Sequence, residues 1–202
     1  MVAIIDYDAG NTKSVEKALQ YLGEETIITR DREILLAAER VILPGVGSFG
    51  AAMDKLKEYQ LVDVIYEVIN KKIPFLGICL GMQLLFESSE ESIGVSGLAI
   101  FKGEVKRFPQ VENIKIPQIG WNDLIFQKET HLFEGLDKES YVYFVHSYYV
   151  EAMDKSIVAA KSHYGIDFDC AVEDGKVFAC QFHPEKSSEV GLNILRNFIK
   201  VK

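Results

Sequence analysis

Short apolar runs separated by segments of helical spacing fill the first half of the chain, and this alternation constrains the fold more than any other feature of the sequence. Ala3 to Tyr7, Thr26 to Thr29, Val41 to Leu43 and Phe75 to Ile78 read as strands, and Thr12 to Leu22 as a helix closed by Gly23. Phe49 to Asn70 carries helical spacing, with Ala52, Leu56, Leu61, Val64, Ile65 and Ile69 on the expected buried face. Strands alternating with helices form a parallel sheet covered on both faces. After residue 97 the pattern changes to closely spaced strands: Leu98 to Phe108, Asp123 to Phe126, Tyr141 to Tyr149, Ser156 to Lys161, Asp167 to Val172 and Lys176 to Phe182. Asp174-Gly175 is the expected turn of the last hairpin, and a final helix over about Val190 to Lys200 should pack back on the sheet. No internal repeat, low-complexity tract or linker interrupts the pattern. The expectation is one α/β domain over residues 1–202, with a mixed, mostly parallel central sheet flanked by helices and antiparallel strands added in the second half.

The segment Pro74-Phe75-Leu76-Gly77-Ile78-Cys79-Leu80-Gly81-Met82-Gln83-Leu84-Leu85 carries the most chemistry. A buried strand ends at a cysteine flanked by glycines two residues to either side, and a helix begins at once, which is the pattern of a nucleophile elbow. Side chains at the flanking positions would collide with the neighbouring strand and helix, so Gly77 and Gly81 leave the room that the strained turn needs. A sulfur at a helix N-terminus lies near unpaired N–H groups and the positive end of the helix dipole, which favours thiolate. The N–H of Leu80 would face the oxygen of a carbonyl attacked by Cys79, which makes half of an oxyanion hole.

A base is offered near the C-terminus by Phe178-Ala179-Cys180-Gln181-Phe182-His183-Pro184-Glu185-Lys186-Ser187. Pro184 pushes His183 toward an extended conformation, so the side chains at 183 and 185 emerge on the same side and the carboxylate reaches the imidazole. Such a contact selects the tautomer and leaves the other ring nitrogen to exchange protons with the sulfur and a leaving amine. Period-2 alternation puts Phe178, Cys180 and Phe182 on one face and His183 on the other. Cys180, and likewise Cys170, therefore read as core, and Cys79 remains as the nucleophile. His183-Pro184-Glu185 also matches H-x-E, but the P-C-x-x-C ligands of a zinc deaminase are missing.

The bulk numbers exclude several classes. A formal net charge of -8 argues against a nucleic-acid binder, which needs clustered Lys and Arg. No stretch has the apolar length of a membrane span, and the N-terminus lacks the basic flank of a signal peptide. The three cysteines form no CxxC pair and offer neither a zinc site nor a disulfide framework. A cytoplasmic protein with no metal and no cofactor is expected.

Gly-Ile-Cys-Leu-Gly together with Gln-Phe-His-Pro-Glu resembles the signature of class I glutamine amidotransferase domains, which are flavodoxin-like in fold. The resemblance covers the whole chain and is strongest to the family of glutaminase subunits of imidazole glycerol phosphate synthases. It includes Gly10-Asn11, Pro44-Gly45-Val46-Gly47-Ser48-Phe49-Gly50, Pro117-Gln118-Ile119-Gly120-Trp121-Asn122 and Tyr143-Phe144-Val145-His146-Ser147-Tyr148. It implies a catalytic triad of Cys79, His183 and Glu185, and glutamine held by Gly45 to Gly47, by Gln83 and Glu91, and by the backbone of His146, Ser147 and Tyr148. It further implies that ammonia passes to a (β/α)8-barrel cyclase subunit in a heterodimer serving histidine biosynthesis. The same triad serves other synthases, pyridoxal phosphate synthase among them, and the Pro117 to Asn122 and Tyr143 to Tyr148 segments disfavour these. An inactive flavodoxin-like interaction module would be expected to lack a triad member, and none is missing.

The loop after Val41 to Leu43 is the natural source of the second oxyanion donor, the N–H of Val46. Many relatives have glycine at that place, and a β-branched residue resists positive φ, so the isolated chain is expected to be nearly inactive until a partner reorients the peptide. Trp121 is expected in a polar, glycine-containing turn, where the residues alone allow an interface anchor or a core position. The resemblance groups it with Asn11, Tyr143 and Lys186 at the cyclase interface.

Overall fold

The computed structural model describes residues 1–112 and 114–202. In chain order its elements are β1 (Val2–Ile5), α1 (Thr12–Tyr21), β2 (Thr26–Thr29), α2 (Arg32–Ala37), β3 (Arg40–Gly45), α3 (Phe49–Glu58), α4 (Leu61–Asn70), β4 (Phe75–Cys79) and α5 (Leu80–Gln83). There follow β5 (Ser88–Ser89), β6 (Gly103–Arg107), β7 (Gln118–Asp123), β8 (Ile125–Phe126), β9 (Tyr141–His146), β10 (Tyr148–Ala152), β11 (Val158–His163), β12 (Asp167–Asp174), β13 (Val177–Cys180) and α6 (Ser188–Lys200).

One sheet runs through the molecule in the order β2-β1-β3-β4-β13-β12-β10-β6-β5, with β11 paired to β12 and β8 paired to β11. From β2 to β13 the strands are parallel, and beyond β13 the pairings with β12, β10 and β6 are antiparallel. This is the mixed, mostly parallel arrangement that the sequence pattern called for. Alternation along the central strands sorts side chains to two cores. Ala3, Ile5, Val41, Leu43 and Phe75 pack with Leu35, Met53, Leu56, Leu61, Ile65 and Val68 of α2, α3 and α4. Val2, Ile4, Ile42, Leu76, Ile78 and Phe178 pack with Val15, Leu19, Ile194, Leu195 and Phe198 of α1 and α6. Each face holds apolar side chains against helices, which is why the strands read as continuous apolar runs.

Several boundaries differ from the sequence reading for local reasons. The helical stretch Phe49 to Asn70 is two helices, broken where Gln60 adopts a left-handed conformation (φ 55). Val68 is fully buried there and Ile69 only partly. The short helix α2 is added, capped by the Asp31 carboxylate, which accepts from the N–H groups of Glu33 and Ile34. Of Leu98 to Phe108 only Gly103–Arg107 is strand. Tyr141 to Tyr149 divides at Ser147 into β9 and β10. In the last hairpin Asp174 pairs with Val177, so the turn residues are Gly175 and Lys176, with Gly175 supplying the positive φ of 57.

The largest correction concerns Trp121. Its segment is not a turn but strand β7, paired antiparallel with β9 as a separate two-stranded ribbon, with Trp121 opposite Tyr143. Alternation buries Gln118, Val142, Phe144 and His146 and leaves Ile119, Trp121 and Tyr141 exposed on the other face. No described helix is long and apolar enough to cross a membrane.

Candidate active site

Cys79 ends β4 with φ 56 and ψ -111, a conformation that L-residues adopt only where the surroundings enforce it. Those surroundings are backbone. A Cβ on Gly77 would stand 2.8 Å from the Gly81 carbonyl oxygen, and one on Gly81 would overlap the Leu43 carbonyl oxygen of β3. The two glycines therefore let strand and following turn pass close enough to lift the sulfur into a cavity. Gly45 has a related role, since a Cβ there would lie 2.7 Å from the Tyr7 hydroxyl and 2.8 Å from the Gly81 nitrogen.

The helix after the elbow is one turn long, Leu80–Gln83. A helix dipole builds up over several turns, so the expected dipole at Cys79 is weak here. Charge at the sulfur is answered instead by side chains. His183 is 2 % exposed, and its Nδ1 donates to the Glu185 carboxylate at 2.8 Å. Its Nε2 is buried and has no hydrogen-bond partner of ordinary geometry among the described residues. Burial by itself pushes the imidazole down, but contact with Cys79 and then with Glu185 outweighs it and raises the ring to about 9. The ring thus holds its proton at neutral pH opposite the sulfur.

The local route to the His183–Glu185 contact differs from the extended one expected. His183 is extended (φ -101, ψ 97), but Pro184–Lys186 forms a turn of 3-10 helix that curls Glu185 back beneath the ring. Ser187 secures that turn: its hydroxyl donates to the His183 carbonyl at 2.6 Å and accepts from the Tyr143 N–H at 2.9 Å. The N–H of His183 donates to the Tyr143 carbonyl at 3.0 Å.

A cavity of about 420 Å³ opens above Cys79. Its walls include Val46, Gly47, Leu80, Gln83, Glu91, His146, Ser147, Tyr148, His183 and Lys186, so residues from widely separated segments meet there. Gly45 lies behind the wall and Glu185 beneath His183. Asn11, Trp121 and Tyr143 lie outside the cavity, and the Trp121 and Tyr143 rings meet edge to face at 6.2 Å. In the loop after β3 the positive φ falls at Gly47 (φ 99) and not at Val46. Glu91 does more than face the cavity: its carboxylate accepts from the Phe49 N–H at 2.8 Å and caps α3, while Ser92 accepts from Gly50 at 2.9 Å. The acidic residues before it flank β5, and the Glu87 and Glu90 carboxylates accept from the N–H groups of Gly103 and Arg107.

His146 is buried and pushed down to about 4 by that burial, with the His183 charge adding to the effect against a backbone hydrogen bond. Its Nδ1 lies 2.7 Å from the Tyr148 carbonyl oxygen, which can only accept, and its Nε2 lies 3.0 Å from the side-chain amide of Gln118. Cys170 and Cys180 are fully buried, and burial pushes both thiols up. Two further residues at the site are not among the candidate site residues that the sequence offers. Gln181 is fully buried with its amide donating to the Cys79 sulfur at 3.6 Å, and Tyr7 is fully buried with its hydroxyl donating to the Pro44 carbonyl at 2.8 Å. Gln181 had a signal, since alternation places it on the His183 side of the strand. Tyr7 had none, because it meets residue 44 only through the parallel pairing of β1 and β3.

Comparison with known proteins accords with this geometry. The family model described as "Glutamine amidotransferase class-I" matches residues 3–201. The "Imidazole glycerol phosphate synthase subunit HisH" of Methanocaldococcus jannaschii is 49% identical over 201 residues, covering 100% of both chains. The protein of the same name from Bacillus cereus is 52% identical over 198 residues, covering 98% of this chain and 93% of that one. Among solved structures, one described as a glutamine amidotransferase superposes with a TM-score of 0.77 at 22% identity, covering 99% of this chain and 98% of that one. PurLQS from Thermotoga maritima also reaches a TM-score of 0.77, at 20% identity, covering 98% of this chain and 96% of that one. At that level of identity the two structures share the fold. The chain belongs to the class I glutamine amidotransferase family, among the imidazole glycerol phosphate synthase HisH subunits.

Proposed function

We propose that this chain is the glutaminase subunit of an imidazole glycerol phosphate synthase, a cytoplasmic enzyme that hydrolyses glutamine and passes ammonia to a (β/α)8-barrel cyclase subunit. The observation that carries the reading is the strained Cys79 facing, across one cavity, an imidazole whose far nitrogen is engaged by Glu185. The Cys79 thiolate adds to the side-chain amide carbon of glutamine, and the carbonyl electrons move to oxygen. The N–H groups of Leu80 and Val46 receive that oxyanion. As it collapses, the C–N bond breaks, His183 gives its Nε2 proton to the leaving nitrogen, and ammonia departs. Water then adds to the thioester, its proton going to His183, and the second collapse expels the Cys79 thiolate and leaves glutamate. Glu185 keeps the proton on Nδ1 and stabilises the imidazolium throughout.

Gly47, Gln83, Glu91 and the backbone of His146 to Tyr148 hold the substrate in this reading, with Gly45 supporting the loop from behind and Glu91 using the carboxylate edge that does not cap α3. The exposed face of the β7–β9 ribbon with Asn11, Trp121, Tyr143 and Lys186 takes the cyclase. Val46 keeps its N–H from the oxyanion site until docking turns that peptide, which prevents wasteful hydrolysis. The test is glutamate release by the purified chain, alone and with the cyclase and its ligand. Release should rise by about 10²–10³ with the cyclase, the effect of gaining one oxyanion donor, and vanish in Cys79→Ala. Retained hydrolysis in Cys79→Ala would overturn the catalytic assignment, and equal rates with and without the cyclase would overturn the coupling.

A further inference from the structure

We infer that Gln181 is a catalytic residue: its amide N–H holds the Cys79 sulfur as thiolate, and Gln83, anchored on the Tyr148 carbonyl, sets the direction in which that amide points. The inference rests on Cys79 being the nucleophile. Three contacts carry it. The Gln83 Nε2 lies 3.1 Å from the Tyr148 carbonyl oxygen and 2.9 Å from the Gln181 Oε1, and the Gln181 Nε2 lies 3.6 Å from the Cys79 sulfur.

The order of donors and acceptors along this chain follows from chemistry. A backbone carbonyl only accepts, so the Gln83 atom facing Tyr148 is the nitrogen. That nitrogen has two hydrogens and gives the second to its other neighbour, which must then be the oxygen of the Gln181 amide. The remaining end of Gln181 is NH2, and it faces sulfur. Gln181 is fully buried and Gln83 is 5 % exposed, so water does not compete for these groups. The backbone under the relay is held as well, since the Gln181 N–H donates to the Cys170 carbonyl at 2.8 Å. The Tyr148 carbonyl accepts a second hydrogen bond from His146 Nδ1, so the anchor is engaged from two sides.

A buried donor beside a sulfur lowers the energy of thiolate relative to thiol. It complements His183, which surrenders its proton during the reaction, whereas the amide keeps its own. The amide therefore also steadies the sulfur each time the thioester breaks and thiolate leaves.

The experiment follows the pH dependence of Cys79 alkylation by iodoacetamide, in which sulfur displaces iodide without a carbonyl oxyanion or bound glutamine. Gln181→Met keeps the volume and removes the donor. Its midpoint should rise by about one pH unit, with alkylation at pH values below the wild-type midpoint up to about tenfold slower, and Gln83→Leu should shift the midpoint the same way by less. A Gln181→Met profile superimposed on that of the wild type overturns the inference. If Gln181→Met does not fold, an unshifted Gln83→Leu profile overturns it. Cys79→Ala shows independently whether the label and the glutaminase activity belong to residue 79, so failure of the underlying reading is seen separately.

Discussion

The charge on His183 depends on which atoms face it. Cys79 and Glu185 both stabilise that charge, and together they overcome the burial of a ring that is 2 % exposed. In Cys79→Ala the His183 ring, followed by NMR, should titrate below about 9, and an unmoved titration would refute the proximity of the pair. The sign of the stability effect is also set. A histidine raised from 6.5 to about 9 by folding contributes stability that is fully present below pH 6.5 and is lost as the pH rises through 9. Denaturant titrations at pH 7 and pH 10 should therefore show a smaller alkaline loss in Cys79→Ala than in wild type. Glu185→Gln leaves the ring without its carboxylate and should lower the rate constant for glutamine turnover by at least about tenfold. Steady-state kinetics check this, and an unchanged rate would remove Glu185 from the triad.

Elements meet at the site through backbone approaches that tolerate no side chain. Gly81→Ala would drive a methyl group into the Leu43 carbonyl, so that strand or turn would have to shift. It should destabilise the chain by about 3 kcal/mol or more, measurable by urea denaturation, and a neutral substitution would mean the elbow is looser than described. Helix α3 has the opposite vulnerability, because the side chain of its own cap residue Ser48 makes no capping bond and the helix borrows Glu91 from 42 positions away. Glu91→Ala should therefore cost about 1 kcal/mol of stability in the absence of any substrate. A purely substrate-binding Glu91 would show no such loss.

At the scale of the whole molecule the β7–β9 ribbon joins outer surface to catalytic turn. Trp121 is 53 % exposed opposite Tyr143, while the same strand β9 hydrogen-bonds the backbone of His183 and the hydroxyl of Ser187. An exposed aromatic contributes little to folding and much to docking. Trp121→Ala should therefore leave the denaturation midpoint within about 0.5 kcal/mol of wild type and weaken cyclase binding by about 2 kcal/mol or more. Calorimetric titration decides, and unchanged affinity would place the interface elsewhere.

Much of this was legible in the order of residues, for a definite reason. Apolar periodicity reports which face of a strand or helix is buried, so it yields the parallel half of the sheet and the separation of Cys79 from Cys170 and Cys180. The elbow is legible too, since only glycine at 77 and 81 permits its close approaches. Contacts between distant segments were not. Tyr7 beneath Pro44, the amide of Gln181 on the sulfur, and Glu91 capping a helix 42 positions earlier each depend on strand order and register, which no local pattern encodes. Trp121 was misread for the same reason. Its glycine and polar neighbours look like a turn until β9 lies alongside, because a strand in a two-stranded ribbon takes its hydrogen bonds from a partner more than twenty residues away. Local sequence determined which groups could react, and only tertiary packing decided what stands next to them.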